Sequence, residues 1–322
     1  LPAPPQIFHG RESELNDIIH SLTEDHARVT ILGTGGMGKT SLALAAMHHA
    51  TIVAKYPHRH FIACQSANNC AELLSLVASH TGMEVGSQTP GRIIQQFRVK
   101  PQTLVVLDNF ESPWEALDAR PEVEEFLSML GDLAHVAIIV TLRGTERPGK
   151  IRWSRPFLSP LKPLSESDAY QVFVDIAGSS HEGEQVRTLL RFTGHLPLAV
   201  SLMANVASFE TCDTVLEQWR TERTNLLSEG SDTRSNLNVS IKLSFESPRM
   251  TEDTRQLLSL LAILPDGLSD VELLQGQLPI PNILSAKMAL LQTSLAYTDN
   301  TRRIRVLVPI QEFICHIAPP SN

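Results

Sequence analysis

The chain has 322 residues, 42% of them hydrophobic and 19% charged, with a formal net charge of −8. That hydrophobic share excludes a disordered chain, and no apolar run reaches the about 20 residues that a membrane-spanning helix needs. The acidic balance disfavours nucleic acid as a partner, and four cysteines (Cys64, Cys70, Cys212 and Cys315) suit reduced thiols in a cytoplasmic protein rather than a disulfide framework.

The length points to two domains or three small ones. The start, Leu1-Pro2-Ala3-Pro4-Pro5, reads as a linker within a longer chain. Short β-rich runs are expected at Arg28–Leu32, His60–Cys64, Thr103–Leu107 and Val136–Leu142, with a weaker one at Pro156–Leu158. Helices are expected between them, over Glu12–Ser21, Lys39–Ala50, Ala71–His80, Arg92–Lys100 and Val123–Leu130. Apolar runs without polar alternation are what strands buried on both faces look like, so this alternation argues for a parallel α/β sheet.

After Pro163 the β signal stops. Ser165 precedes an acidic first turn (Glu166, Asp168) of a helix running to Ala177, and further helices are expected at Glu184–Phe192, Pro197–Ser208 and Val215–Leu227. The polar stretch Ser228–Ser235 reads as a linker. Four more helical segments follow, Asn236–Phe245, Thr251–Leu264, Ser269–Leu278 and Pro281–Gln292. A hairpin signal (Leu295–Thr298 and Ile304–Val308 around Asp299-Asn300-Thr301) and a closing helix, Pro309–Ala318, complete a winged-helix layout.

The strongest motif is Gly33-Thr34-Gly35-Gly36-Met37-Gly38-Lys39-Thr40, a complete GxxxxGK[ST] set between a buried-type strand and a helix start. Glycines let successive backbone N–H groups point at phosphate oxygens, and the helix N-terminus adds partial positive charge. Lys39 can reach the β- and γ-phosphates, and the Thr40 hydroxyl can ligate Mg²⁺. Leu104-Val105-Val106-Leu107-Asp108 delivers a second Mg²⁺ ligand, Asp108, to the carboxyl edge of the sheet. Asn109 stands where many ATPases carry a second acid. Glu111 is a candidate for polarising water, with an ordinary loop carboxylate as the alternative. Arg143 ends the strand Val136–Val140 with Thr141 and Leu142, a position suited to sensing the γ-phosphate; Arg147 is a lesser candidate for that role.

On these residues the chain resembles the NB-ARC family of STAND-type P-loop NTPases, the nucleotide switches of plant resistance proteins, apoptotic scaffolds and fungal NOD-like receptors. Phe8-His9-Gly10-Arg11-Glu12 is similar to the family's opening FVGRE segment. The P-loop through Ser41, the LVVLDN strand and the Ile138–Arg143 sensor strand follow. Gly194-His195-Leu196-Pro197-Leu198-Ala199 is similar to the GLPLA motif with a His inserted, and LSFESPRMTEDTRQLLSLLAILPDG looks like the start of the family's winged-helix domain. The LDNFESPWE wording looks more like fungal members. The resemblance implies a P-loop sheet of order 5-1-4-3-2 (residues 1–163), a helical domain (164–228) and a winged-helix domain (229–322). It implies that Phe8, His9 and Arg11 meet the adenine end of the nucleotide, and that Pro197 packs on adenine. The family's Met-His-Asp motif is replaced here by Val306-Leu307-Val308, so its histidine lock on ADP is missing.

His58, His60, Cys64 and Cys70 lack tight zinc-ligand spacing and read as strand packing. Residues 236–322 hold seven basic and eight acidic side chains, which weighs against DNA binding by the winged helix. The expected function is an ATP/ADP (or dATP) switch with Mg²⁺. It is at most a slow ATPase, assembling with its own subunits under the control of effector and sensor domains outside this segment. The alternatives are an active P-loop motor or phosphotransferase, and a scaffold that binds nucleotide without hydrolysing it.

Overall fold

A computed structural model of the chain describes residues 1–82, 89–115, 118–179, 183–222, 237–264, 266–276, 278–299 and 301–317. The chain divides into two compact bodies, Leu1–Leu32 with Lys39–Leu161, and Gly33–Gly38 with Lys162–Asn322.

The first body runs α1 (Glu12–Thr23), β1 (Arg28–Leu32), α2 (Lys39–His48), α3 (Ala50–Lys55) and β2 (His58–Ala63). It continues with α4 (Cys70–Thr81), α5 (Pro90–Arg98), β3 (Thr103–Asp108), α6 (Glu111–Glu115), α7 (Arg120–Gly131) and β4 (Val136–Leu142). Every residue of β3 and β4 is buried, as their unbroken apolar runs require. The strands are parallel in the order β1-β4-β3-β2. Leu32 pairs with Leu142, Leu107 with Val140 and Ala63 with Asp108, so the carboxyl ends of the strands open along one edge. Leu73, Val77, Ile93, Phe97, Phe126 and Leu130 on α4, α5 and α7 share one core with Val105, Leu107, Ile138 and Val140 of the sheet.

Two expectations are corrected here. The fifth strand of a 5-1-4-3-2 sheet does not form. The segment after β4 touches β1 through Ser154 N–H to the Arg28 carbonyl (2.9 Å) and Leu161 N–H to the Leu32 carbonyl (2.8 Å). Between them Pro156 and Pro160 have no N–H, and the Leu158 carbonyl is taken by Arg147 Nη2 (2.7 Å), so no ladder can build. Second, the helix expected over Lys39–Ala50 breaks at His49. There the backbone is extended (ψ 136°), and Nδ1 accepts from Thr51 N–H, starting α3. The five-residue α6 was not foreseen.

The second body contains α8 (Glu166–Ala177), α9 (Gly183–Thr193), α10 (Pro197–Ala207), α11 (Cys212–Glu222) and α12 (Leu237–Phe245). It also holds α13 (Glu252–Ala262), α14 (Asp270–Gln275), α15 (Ile283–Gln292), β5 (Tyr297–Thr298), β6 (Ile304–Arg305) and α16 (Val308–Ile317). Ser165 caps α8 by accepting from Asp168 N–H, and Ser269 with Glu272 forms a full capping box on α14. α8 packs on α10, and α13 on α15 and α16. β5 and β6 form the expected antiparallel hairpin, shorter than the sequence suggested, and Leu268 bridges to Ile304 beside it. The linker expected over Ser228–Ser235 and the ends expected at Leu227 and Ala318 lie outside the described residues.

Candidate phosphate-binding site

Lys39 and Thr40 are the first residues of α2, directly after the glycine loop. The Thr40 hydroxyl donates toward both oxygens of Asp108 (2.9 and 3.0 Å), and Thr141 Oγ1 donates to Asp108 Oδ1 at 2.7 Å. Asp108 is 1% exposed. Burial raises its pKa, and the hydroxyls of Thr141 and Thr40 pull it back toward the ionised form. Thr141 also accepts from Asn109 N–H (3.0 Å), so one hydroxyl ties the ends of β3 and β4 together. Thr40 and Asp108 place two hard oxygen donors side by side, the ligand chemistry Mg²⁺ takes alongside water and phosphate oxygens.

Lys39 is 7% exposed. Burial pushes its ammonium down to about 8; Glu111 and Asp108 act against that shift and Arg143 adds to it. Glu111 and Arg143 are themselves paired. Arg143 Nε lies 3.1 Å from Glu111 Oε1, and the Arg143 backbone N–H donates to Oε2 at 3.3 Å. Both side chains are largely buried. The acid considered as a loop carboxylate therefore starts α6 and faces the residue placed at the end of β4.

Asn109 adopts a left-handed backbone (φ 54°), which Asn tolerates better than most residues. Its amide donates to Gln65 Oε1 at 3.4 Å. Arg147 is drawn away from any phosphate role. Its Nε donates to Thr30 Oγ1 (2.8 Å), and its guanidinium stacks over Phe157, clamping the post-β4 segment onto β1.

In the first body Phe8 and His9 are half-buried ahead of α1, and buried Arg11 pairs with Glu14 (3.1 Å). Ser41 is half-buried in α2. The glycine loop itself goes with the second body. Gly33, Gly36 and Gly38 all have positive φ, and Met37 N–H donates to the Thr34 carbonyl at 3.3 Å, closing a turn around Gly35 and Gly36. Pro197 starts α10, with its Cγ 4.0 Å from where a Cβ on Gly38 would stand. Thus Lys39, Thr40, Asp108, Glu111 and Arg143 come together in the first body, while Gly33–Gly38 and Pro197 come together in the second.

Sequence reasoning passed over Thr141 as a site residue. Its signal was one hydroxyl inside the buried run Val136–Leu142.

Residues 2–146 match the family model described as Novel STAND NTPase 1. Over 225 residues the chain is 26% identical to an uncharacterised WD repeat-containing protein, alr2800, of Nostoc sp.; the match covers 62% of this chain and 18% of that protein. The fold is similar to that of the Walker-type ATPase PABY2304 of Pyrococcus abyssi, with a TM-score of 0.63, 12% identity and 98% of each chain covered. The Aeropyrum pernix ORC2 protein, solved as ADPNP–ADP complexes, has a TM-score of 0.55 at 14% identity, with 98% of this chain and 95% of that one covered. The A. pernix ORC1 protein in complex with DNA gives 0.53 at 13%, covering 97% and 94%. The likeness is of fold: a P-loop ATPase architecture. Among the described residues no helix is long and apolar enough to cross a membrane.

Proposed function

We propose that the chain is the nucleotide-binding core of a STAND-type NTPase, an ATP/ADP switch within a longer protein. One observation carries this reading. A buried lysine, a Thr–Asp oxygen pair and a buried Glu–Arg pair converge at the carboxyl edge of a P-loop sheet. Burying such charges is costly, and they are gathered where an anionic ligand compensates them.

In this reading Lys39 neutralises the β- and γ-phosphates. Thr40 and Asp108 hold Mg²⁺, which when bound spreads the developing charge of the phosphates. Arg143 is the side chain that meets a γ-phosphate. Its present partner is Glu111, so an ATP γ-phosphate competes for the guanidinium and frees the carboxylate to polarise water. ADP has no group to compete, and the Glu111–Arg143 pair stays closed. The two nucleotides thereby bias two arrangements of the same pair, which is what a switch requires. The helical and winged-helix domains over 164–228 and 229–322, contacts of Phe8, His9, Arg11 and Pro197 with adenine, assembly with further copies, cytoplasmic residence and NB-ARC-like signalling are parts of this proposal. The family match over residues 2–146 and the nucleotide complexes of the similar ORC2 protein support it.

The second reading is a scaffold that binds nucleotide without turnover. It is favoured by Asn109, which binds Gln65 where a second acid would sit, and by Glu111 being held by Arg143. Single-turnover hydrolysis of bound ATP, followed together with solution size, separates the two. Slow conversion to ADP with a change of size is expected of the switch. Indefinitely retained ATP with no change of size identifies the scaffold.

A further inference from the structure

The glycine loop is held from outside by the start of α10. Leu196, the residue before the helix, offers no side-chain cap, and Pro197 at the first helical position has no N–H. The first free donor of α10 is therefore Leu198 N–H. It donates to the Gly36 carbonyl at 3.1 Å, so a loop carbonyl serves as the helix's missing cap. The approach is close because Gly36 has no side chain. A Cβ there would lie 2.9 Å from Leu198 Cβ, and Gly36 already sits at φ +75°.

A loop that cradles phosphate must keep its carbonyls turned away from the anion and its N–H groups turned toward it. In a trans peptide the carbonyl and the following N–H point in opposite directions. Fixing the Gly36 carbonyl on α10 therefore keeps an acceptor oxygen out of the concavity, while Met37 N–H, on the other side of the same peptide, donates to the Thr34 carbonyl at 3.3 Å and closes the turn of the loop. We propose that the Leu198 backbone N–H is a positioning group for the phosphate cradle, setting the Gly36–Met37 peptide for a nucleoside di- or triphosphate. The inference rests on the nucleotide-binding reading above. It adds that phosphate affinity is set in part by a helix start 162 residues further along the chain (198 − 36), through a backbone bond rather than a side chain.

The test is a titration of Mg-ADP into the full chain and its variants. Leu198→Pro removes the donor at a first-turn position where proline is tolerated. It is expected to weaken ADP about tenfold, the factor that goes with losing one hydrogen bond. Leu198→Ala keeps the N–H and is expected to stay within about twofold. The ³¹P resonance of the bound β-phosphate should move in Leu198→Pro and stay in place in Leu198→Ala. Wild-type affinity and an unmoved resonance in a folded Leu198→Pro protein overturn the proposal.

If circular dichroism shows that Leu198→Pro does not fold, the pair Gly36→Ala and Leu198→Gly replaces it. Gly36→Ala should weaken ADP, and Leu198→Gly in that background should recover several-fold of the loss. Strictly additive effects overturn the proposal. Lys39→Ala in the same titration separates the two levels of the argument. If it binds like wild type, the nucleotide reading itself fails; if it loses binding while Leu198→Pro does not, only the positioning role fails.

Discussion

The charges of the first body and those of the second are arranged in opposite ways. At the sheet edge, Lys39, Asp108 and Glu111 are nearly inaccessible to solvent, and Glu111 is shared between the side chain and backbone of Arg143. In the second body, pairs such as Arg187–Glu166 and Lys242–Glu246 lie more than half exposed, and Arg303 and Arg305 of the hairpin are taken up by Glu272, Asp266 and Asp299. An exposed pair costs little and contributes little, whereas a buried cluster persists only where something compensates it. The contrast separates a buried charge cluster from a solvated surface. Arg303 and Arg305 of the hairpin are thus neutralised within the second body itself.

The largest expected effect is on chemistry. Glu111→Gln should slow single-turnover hydrolysis of bound ATP by about 10²- to 10⁴-fold, the usual worth of a positioned general base, and change ADP affinity little. An equal loss of hydrolysis and ADP affinity would make Glu111 a structural carboxylate. Next, Lys39→Ala should cost at least about a hundredfold in ADP affinity by calorimetry, since a charge-assisted contact with phosphate is lost. Thr141→Val should destabilise the fold by about 1–3 kcal/mol in urea unfolding, because Asp108 and Asn109 N–H lose a buried partner. Arg187→Ala in the second body should change stability by less than about 0.5 kcal/mol. A larger loss there would erase the distinction between the two regions.

Much of the first body was legible because its signals are local. The strands were readable as apolar runs and Asp108 as the end of one of them, and in the second body the glycine loop was readable as a contiguous motif whose spacing has a mechanical reason. The Glu111–Arg143 pair was not, since it joins residues 32 positions apart whose meeting depends on strand register. The absent fifth strand was misread because two apolar residues, Phe157 and Leu158, outweighed Pro156 and Pro160. The break at His49 turned on one backbone angle inside an otherwise helical run. The hold on Gly36 was out of reach for a different reason: backbone-to-backbone bonds leave no mark on side-chain pattern.

The pH dependence of ADP binding tests the central claim most directly. Lys39 titrates at about 8 in the folded chain, below the ordinary lysine value of 10.5, because burial disfavours its charge. The sign follows from that depression. The folded chain loses the Lys39 proton earlier than the unfolded one, so this group's penalty on stability is full below about 8 and is relieved as pH rises toward 10.5. A bound phosphate restores the charged form, so binding must take up a proton once the free lysine is neutral. Calorimetric titration of ADP should therefore give a constant affinity below about pH 8 and one that falls by up to about tenfold per pH unit above it, with proton uptake, and Lys39→Ala should remove that fall. An affinity that is flat or rising across that range, or the same fall in Lys39→Ala, would contradict a nucleotide site built on Lys39.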